Sequence, residues 1–235
     1  MSVVSRKRLN PSRIWLEREM RGFAERLPIG ALVLDAGAGH QPYRHHFAHC
    51  RYESADFEAV EKRYAQSTFV CDLAHIPVEE ERYDAIIFSQ VMEHLPDPLS
   101  VLNELYRVLK PGGRLFYTGP FWYEEHEKPY DFYRYTSFAL RHLFERSAFQ
   151  IEDLRWLEGY LATVTKQLRS MTKALPTSLR AYGGGLRGAL ILMLAISFRP
   201  LAKLLASSFA YADRQTRYTG GGYPINYLAI LKRPG

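Results

Sequence analysis

Apolar positions along the chain fall into short continuous runs separated by stretches with helical spacing. Ala31 to Asp35 is the first strand-like run, followed by Arg51 to Ala55, Ser67 to Cys71, Tyr83 to Ser89 and Gly113 to Thr118. Runs this short suit buried strands better than helices, which must repeat their apolar face over several turns. Pro11 opens a helical pattern in which Ile14, Leu16, Met20 and Phe23 share roughly one face. From Pro98 to Lys110, Leu99, Val101, Leu102, Leu105, Val108 and Leu109 recur at helical spacing, and Lys110-Pro-Gly-Gly113 supplies a stop. Strands alternating with helices predict a parallel sheet covered on both faces: an α/β, doubly wound fold with ligands outside the carboxyl ends of the strands. Gln150 to Leu157 and Ile225 to Lys232 add two late strands, where an antiparallel edge is expected.

Between those last two strands the pattern changes. Ala189 to Phe198 carries no charge, Arg199-Pro200 interrupts, and Leu201 to Tyr211 resumes with only Lys203. The proline predicts two apolar helical pieces. Ahead of them, Thr163 to Arg180 is cationic with Leu161, Val164, Leu168, Met171 and Leu175 near one face, and Gly183-Gly-Gly185 forms a joint. The charge is concentrated here. From Tyr160 to Thr219 nine basic residues face the single acid Asp213, a net of +8, which leaves the rest of the chain at −2 of its total +6. An uncharged run of ten residues is too short to span a bilayer, which needs about 20. A basic, apolar segment of this kind suits an anionic membrane surface. A buried helical hairpin or a dimer interface is the plainer alternative. Nucleic acid is not favoured, because the segment is aliphatic and the rings lie elsewhere.

At 235 residues, 47% hydrophobic and 24% charged, the composition excludes wholesale disorder, collagen and a multi-pass membrane protein. The two cysteines, Cys50 and Cys71, cannot form a disulfide framework, and no N-terminal run reads as a cleavable signal. The expected location is a reducing cytoplasm, peripheral at the inner face of a membrane. The organisation reads as a basic lead-in and N-terminal helix region (1–29), a core (30–159), the helical basic and apolar insertion (160–222), and a last core strand (223–235).

Strand one runs into Val33-Leu-Asp-Ala-Gly-Ala-Gly-His-Gln-Pro42. Glycines at 37 and 39 permit a sharp turn and close approach of a ligand. A dinucleotide fingerprint wants a third glycine where Pro42 stands, so by itself the motif is weak, and a tight junction without a ligand is the alternative. Asp56 lies just past strand two, placed to accept from ribose hydroxyls; Cys71-Asp-Leu73 follows strand three; and Phe88-Ser-Gln-Val-Met-Glu-His-Leu95 ends strand four. Polar groups thus follow four successive strands on one rim.

Leu34-Asp-Ala-Gly-Ala-Gly39, Asp56, Cys71-Asp-Leu73, Val91-Met-Glu-His-Leu95 and Leu105-Tyr-Arg-Val-Leu-Lys-Pro-Gly-Gly-Arg-Leu115 resemble, in order, the motifs of class I S-adenosylmethionine-dependent methyltransferases. The likeness is to the branch that includes the ubiquinone and menaquinone biosynthesis enzymes, and it spans about residues 30 to 158. It implies a Rossmann-like, seven-stranded fold and S-adenosylmethionine as the methyl donor. It places Asp35, Gly37 and Gly39 at the methionine end, Asp56 at the ribose, Asp72 and Leu73 at the adenine, and Ser89 and Gln90 beside the sulfonium. His40-Gln41-Pro42 departs from the family pattern and alters the expected shape of the methionine pocket.

After strand five, Pro120 to Thr136 carries Phe121, Trp122, Tyr123, Tyr130, Phe132, Tyr133 and Tyr135 interleaved with His126, Asp131 and Arg134. This reads as a lid that excludes water and grips an acceptor, with His126 or Asp131 as base and Arg134 holding an anionic group. In the alternative the rings pack the lid, and Arg134 pairs with Asp131. His94 reads as structural. His45, His46, His49 and Cys50 do not make a metal site by ligand count, since His46 is expected to point away from His45. The sequence therefore predicts methyl transfer to an oxygen of a lipid-borne or amphiphilic acceptor, a quinone-type ring or lipid-linked glycan. The alternatives are a soluble metabolite or RNA as acceptor, or a degenerate fold serving as a binding module.

Overall fold

The computed structural model describes residues 10–58 and 65–235; most of the expected basic lead-in lies outside them. The described residues divide into two compact units, Leu16–Leu157 with Ile225–Gly235, and 10–15 with Glu158–Pro224.

In the larger unit seven strands form one sheet: β1 Leu32–Ala36, β2 Arg51–Asp56, β3 Phe69–Val70, β4 Tyr83–Ser89, β5 Leu109–Pro120, β6 Gln150–Trp156 and β7 Asn226–Lys232. Their order is β3-β2-β1-β4-β5-β7-β6. All pairs are parallel except those made by β7, which runs against both β5 and β6. The reversed strand is therefore next to the edge, and not the edge itself as expected. The reason lies in the side chains. Tyr-Leu-Ala-Ile-Leu in β7 is buried almost throughout, whereas Gln-Ile-Glu-Asp-Leu-Arg in β6 alternates with charge and tolerates an outer position.

Both faces are covered, as the continuous apolar runs require. On one face Leu34, Ile86, Phe88, Leu115 and Tyr117 pack with Leu102 and Leu105 of α2 (Pro98–Val108) and Leu140 and Phe144 of α3 (Ser137–Arg146). Phe23 of α1 (Pro11–Ala24) meets Phe116 at 5.3 Å between ring centres. Each large apolar side chain so buried contributes about 1.5–3 kcal/mol. Asp97 starts α2 by accepting the Ser100 N–H at 3.2 Å. Lys110-Pro-Gly-Gly113 does not form a loop after this helix, because β5 begins at Leu109. The orphan carbonyls of the helix end are taken instead by Arg233, which donates to the carbonyls of Tyr106, Arg107 and Leu109 at 3.0, 3.1 and 2.6 Å.

The smaller unit is helical: α4 Tyr160–Ala174, a short 3-10 turn Leu179–Tyr182 and α5 Gly185–Thr216. Gly183, Gly184 and Gly185 all have positive φ and form the expected joint. Pro200 does not split the apolar stretch; α5 runs through it as one helix of 32 residues. Proline frees the carbonyl four residues back, and here Ile196 and Pro200 are both exposed, so water can satisfy it. Ala202, Ala206 and Ala210 are buried, and Thr165 of α4 donates to the Ala206 carbonyl at 3.2 Å.

Asp213 ties this unit together. The N-cap of α4 is Gly159, which has no side chain to accept from the helix, and a Cβ there would lie 2.5 Å from Asp213 Oδ1. Asp213 takes over the capping from α5, accepting the Ala162 N–H at 3.2 Å, while its second oxygen accepts Trp15 Nε1 at 2.8 Å. Asp213→Ala is expected to lower stability by about 2–3 kcal/mol, as for the loss of hydrogen bonds to a buried carboxylate. The urea midpoint of the full chain measures this, and Asp213→Asn, which keeps one acceptor, should lose less.

Candidate active site

The parallel register brings the strand ends of the larger unit to one rim, with Asp35 opposite both Ser54 and Ile87, Ala36 opposite Ala55, and Ser89 opposite Thr118. The turn after β1 is built by left-handed backbone at Gly37 (φ 79°), Gly39 (φ 52°) and Gln41 (φ 52°). At Gly37 a Cβ would lie 2.3 Å from Val91 Cγ2, so only glycine lets the β1 and β4 ends meet. At Gly39 a Cβ would meet nothing within 4 Å, so the turn faces open space. The Gly37 and Ala38 N–H groups donate to the Ala55 carbonyl at 2.8 and 3.2 Å.

Asp35 is buried at the end of β1 and accepts a hydrogen bond from the Tyr52 hydroxyl. Burial pushes its carboxyl up to about 7; the Tyr52 hydrogen bond opposes the rise and the charge of Asp56 adds to it. Asp56 accepts the Gly39 N–H at 2.8 Å and the Glu58 N–H at 2.9 Å. Asp72 is exposed after β3, where it accepts the Ala74 N–H at 2.9 Å, and Leu73 turns into the core. Ser89 shares a 2.7 Å hydrogen bond with Thr118, and Gln90, at φ 60°, donates to the same hydroxyl at 3.3 Å. Asp35, Gly37, Gly39, Asp56, Ser89 and Gln90 thus belong to one interlinked rim. Gln41, which stands in the departure from the family pattern, is buried; its amide donates to Ser54 Oγ at 3.1 Å and the Gln66 carbonyl at 3.0 Å.

The loop from Phe121 to Thr136 is organised by polar groups. Arg134 holds Asp131 with two hydrogen bonds of 2.7 and 2.9 Å and donates to the carbonyls of Tyr123, Glu124 and Tyr133. This guanidinium keeps the Asp131 carboxyl well below the usual carboxylate range. Asp131 also accepts the His126 N–H at 2.8 Å, and its Oδ2 lies 3.4 Å from His126 Nδ1. The His126 ring stands edge-on to His94 at 4.7 Å. His94 Nδ1 hydrogen-bonds the Tyr130 carbonyl, and Phe132 and Tyr133 donate their N–H groups to the Glu93 carbonyl.

Glu93 is the residue that sequence reasoning passed over. Both its carboxylate oxygens are buried without a hydrogen-bond partner, and burial pushes its carboxyl up to about 8, so it is mostly protonated at neutral pH. Nothing local in Met-Glu-His distinguishes it from a solvated loop acid; only the loop folded over it removes it from water. Two groups among the described residues are compact enough for a metal ion: Glu93 with His94 and His126, and Glu17 with His45 and His46. In the second, His46 does not point away from His45; the Nε2 atoms of both converge on Glu17, at 2.8 and 3.2 Å.

Residues 12–160 match the family described as a methyltransferase domain, a match that spans the strand-end rim and the aromatic loop. The chain belongs to this methyltransferase domain family. S-adenosylmethionine is the cofactor of the domain, and the turn fits it: close-approach glycines, open space at Gly39 and a buried carboxylate at Asp35. A ubiquinone biosynthesis O-methyltransferase from Acinetobacter baumannii is 30% identical over 125 residues, 47% of this chain and 51% of that protein. A tRNA (carboxymethyluridine(34)-5-O)-methyltransferase from Arabidopsis thaliana is 32% identical over 107 residues, 43% of this chain and 26% of that one. The chain spans about half the length, or less, of these curated relatives. Among solved structures, the 1,6-didemethyltoxoflavin-N1-methyltransferase from Burkholderia thailandensis, with S-adenosylhomocysteine bound, shares the fold. Its TM-score is 0.54 at 16% identity, covering 97% of this chain and 80% of that one.

If Asp35 takes the ammonium of the methionine end, binding requires its ionised form. Affinity for S-adenosylhomocysteine, measured by calorimetry, is then expected to fall about tenfold from pH 8 to pH 6, as a carboxyl titrating near 7 takes up its proton. Asp35→Asn should bind weakly and lose this dependence. A wild-type affinity that stays flat over the same range removes Asp35 from that role.

Proposed function

We infer that this methyltransferase domain transfers a methyl group to an oxygen of an amphiphilic acceptor, a quinone-type ring or a lipid-linked glycan. The observation that carries the reading is the alignment of His126, Asp131 and Arg134 in an aromatic loop. Bound S-adenosylmethionine supplies a methyl group made electrophilic by its positive sulfur. The chain has to orient the acceptor, exclude water and take the hydroxyl proton.

Asp131 is a poor base near neutral pH because Arg134 holds it ionised far below its usual range. It is instead the positioning group. A proton on His126 Nδ1 is retained between Asp131 Oδ2 at 3.4 Å and the Glu124 carbonyl at 3.3 Å, which leaves Nε2 with a free lone pair. His126 is then the general base, Asp131 sets its tautomer, and Arg134 fixes Asp131. Tyr123, Tyr130, Phe132 and Tyr133 are partly exposed on the same loop and offer flat apolar surface to a ring or a chain. The relationship to a ubiquinone biosynthesis O-methyltransferase supports an oxygen acceptor of this class. The tRNA methyltransferase relative supports RNA as the competing acceptor.

The test is transfer of labelled methyl from S-adenosylmethionine by the full chain to a catechol bearing a prenyl tail, to the same catechol without the tail, and to bulk tRNA. Preference for the tailed catechol is the expected result; labelling of tRNA alone overturns the reading. His126→Ala should lower kcat about 100-fold with S-adenosylhomocysteine affinity unchanged. Asp131→Asn should lower kcat as well, with S-adenosylhomocysteine affinity unchanged. Wild-type rates in both variants exclude the assignment.

A further inference from the structure

Helix α5 exposes an apolar stripe opposite the face it buries. With successive side chains about 100° apart around the axis, Ala202, Ala206, Ala210 and Asp213 share one side and are all buried. Leu186, Leu190, Met193, Leu194, Leu201 and Leu204 share the reverse side, and each is between 48% and 89% exposed. The stripe extends about 27 Å at 1.5 Å per residue. A contiguous apolar surface of this kind is unfavourable in water and marks a surface with a partner.

The charges around the stripe select the partner. Lys173, Arg180, Arg187 and Lys203 are exposed in the same helical unit, which carries nine basic residues and the single acid Asp213 over positions 160–219. Asp213 is buried on Trp15 and Ala162 and offers the surface no negative charge. A second copy of the chain would bring +8 against +8. An anionic bilayer supplies what this surface lacks, acyl chains for the stripe and negative head groups for the cations. The orientation follows from the packing. Although α5 is long and apolar enough to cross a membrane, its alanine face is held by Thr165, and Arg199 donates to the Leu175 carbonyl at 2.9 Å. With the cationic helix α4 packed along its inner face and Arg187, Arg199 and Lys203 along its own length, α5 suits the membrane plane and not a span.

We propose that α5 is a membrane-docking helix that lies in the interface of an anionic phospholipid bilayer with Leu186, Leu190, Met193, Leu194, Leu201 and Leu204 among the acyl chains. The inference rests on the helical unit alone, not on the acceptor reading, although it would bring the enzyme to lipid-borne acceptors.

The test is co-sedimentation of the full chain with vesicles of phosphatidylcholine alone and of phosphatidylcholine mixed with phosphatidylglycerol. Binding to the mixed vesicles that weakens in high salt is the expected result. The combined variant Leu190→Glu, Leu194→Glu, Leu201→Glu changes only exposed positions and should lose at least about tenfold in partition. Its affinity for S-adenosylhomocysteine should be unchanged, which separates failed docking from a failed cofactor site. Wild-type protein left in the supernatant with both vesicles overturns the proposal, as does a triple variant that binds like wild type. Equal binding to neutral vesicles overturns the role of the head groups. A dimer in sedimentation velocity that Leu194→Glu dissociates, without vesicle binding, assigns the stripe to a second copy instead.

Discussion

The close approach of Val91 to Gly37 is the constraint on which the strand-end rim depends. Because no Cβ fits between them, the ends of β1 and β4 meet with backbone against side chain, and the chain must leave β1 in a left-handed turn. That turn delivers the Gly39 N–H to Asp56 and the Gly37 and Ala38 N–H groups to the Ala55 carbonyl. It also drives Gln41 inward, where its amide bonds Ser54 and the Gln66 carbonyl. Within the stretch that departs from the family pattern, Gln41 thus fastens the turn to Ser54 of β2 and to the Gln66 carbonyl.

Four buried or half-buried carboxyls show how the same chemistry is put to different ends. Asp131 has a guanidinium and remains ionised; Asp213 has two N–H donors and caps a helix. Asp35 has only a phenol and a neighbouring negative charge, which sets it to about 7, while Glu93 has no hydrogen-bond partner for its oxygens and rises to about 8. The cost of burying a charge decides each case. Groups left near neutrality sit at the rim and under the aromatic loop.

A fold of this kind does not specify an acceptor. The core is shared with enzymes acting on unrelated molecules, and the parts that can discriminate are those added to it: the aromatic loop after β5 and the basic helical unit between β6 and β7. The first concentrates rings with a histidine and an ion pair. The second presents leucines and cations with almost no acid.

The alternation of apolar runs with helical spacing determined the strands, their mostly parallel pairing and the glycine turn, because these depend on local periodicity and on where a Cβ can fit. The order of motifs after successive strands was enough to place Asp35, Gly37, Gly39, Asp56, Ser89 and Gln90 on one rim. Tertiary structure decided the rest. Whether β7 or β6 lies inside depends on competition for burial between strands whose first residues, Gln150 and Asn226, are 76 positions apart in the chain. Pro200 was tolerated within α5 because its side of the helix is exposed, a fact no window of sequence contains. Glu93 as a neutral buried acid and the shared Glu17 of His45 and His46 each required distant backbone to fold over or against a side chain. A residue's charge state is set by who surrounds it, and that is determined only when the chain is packed.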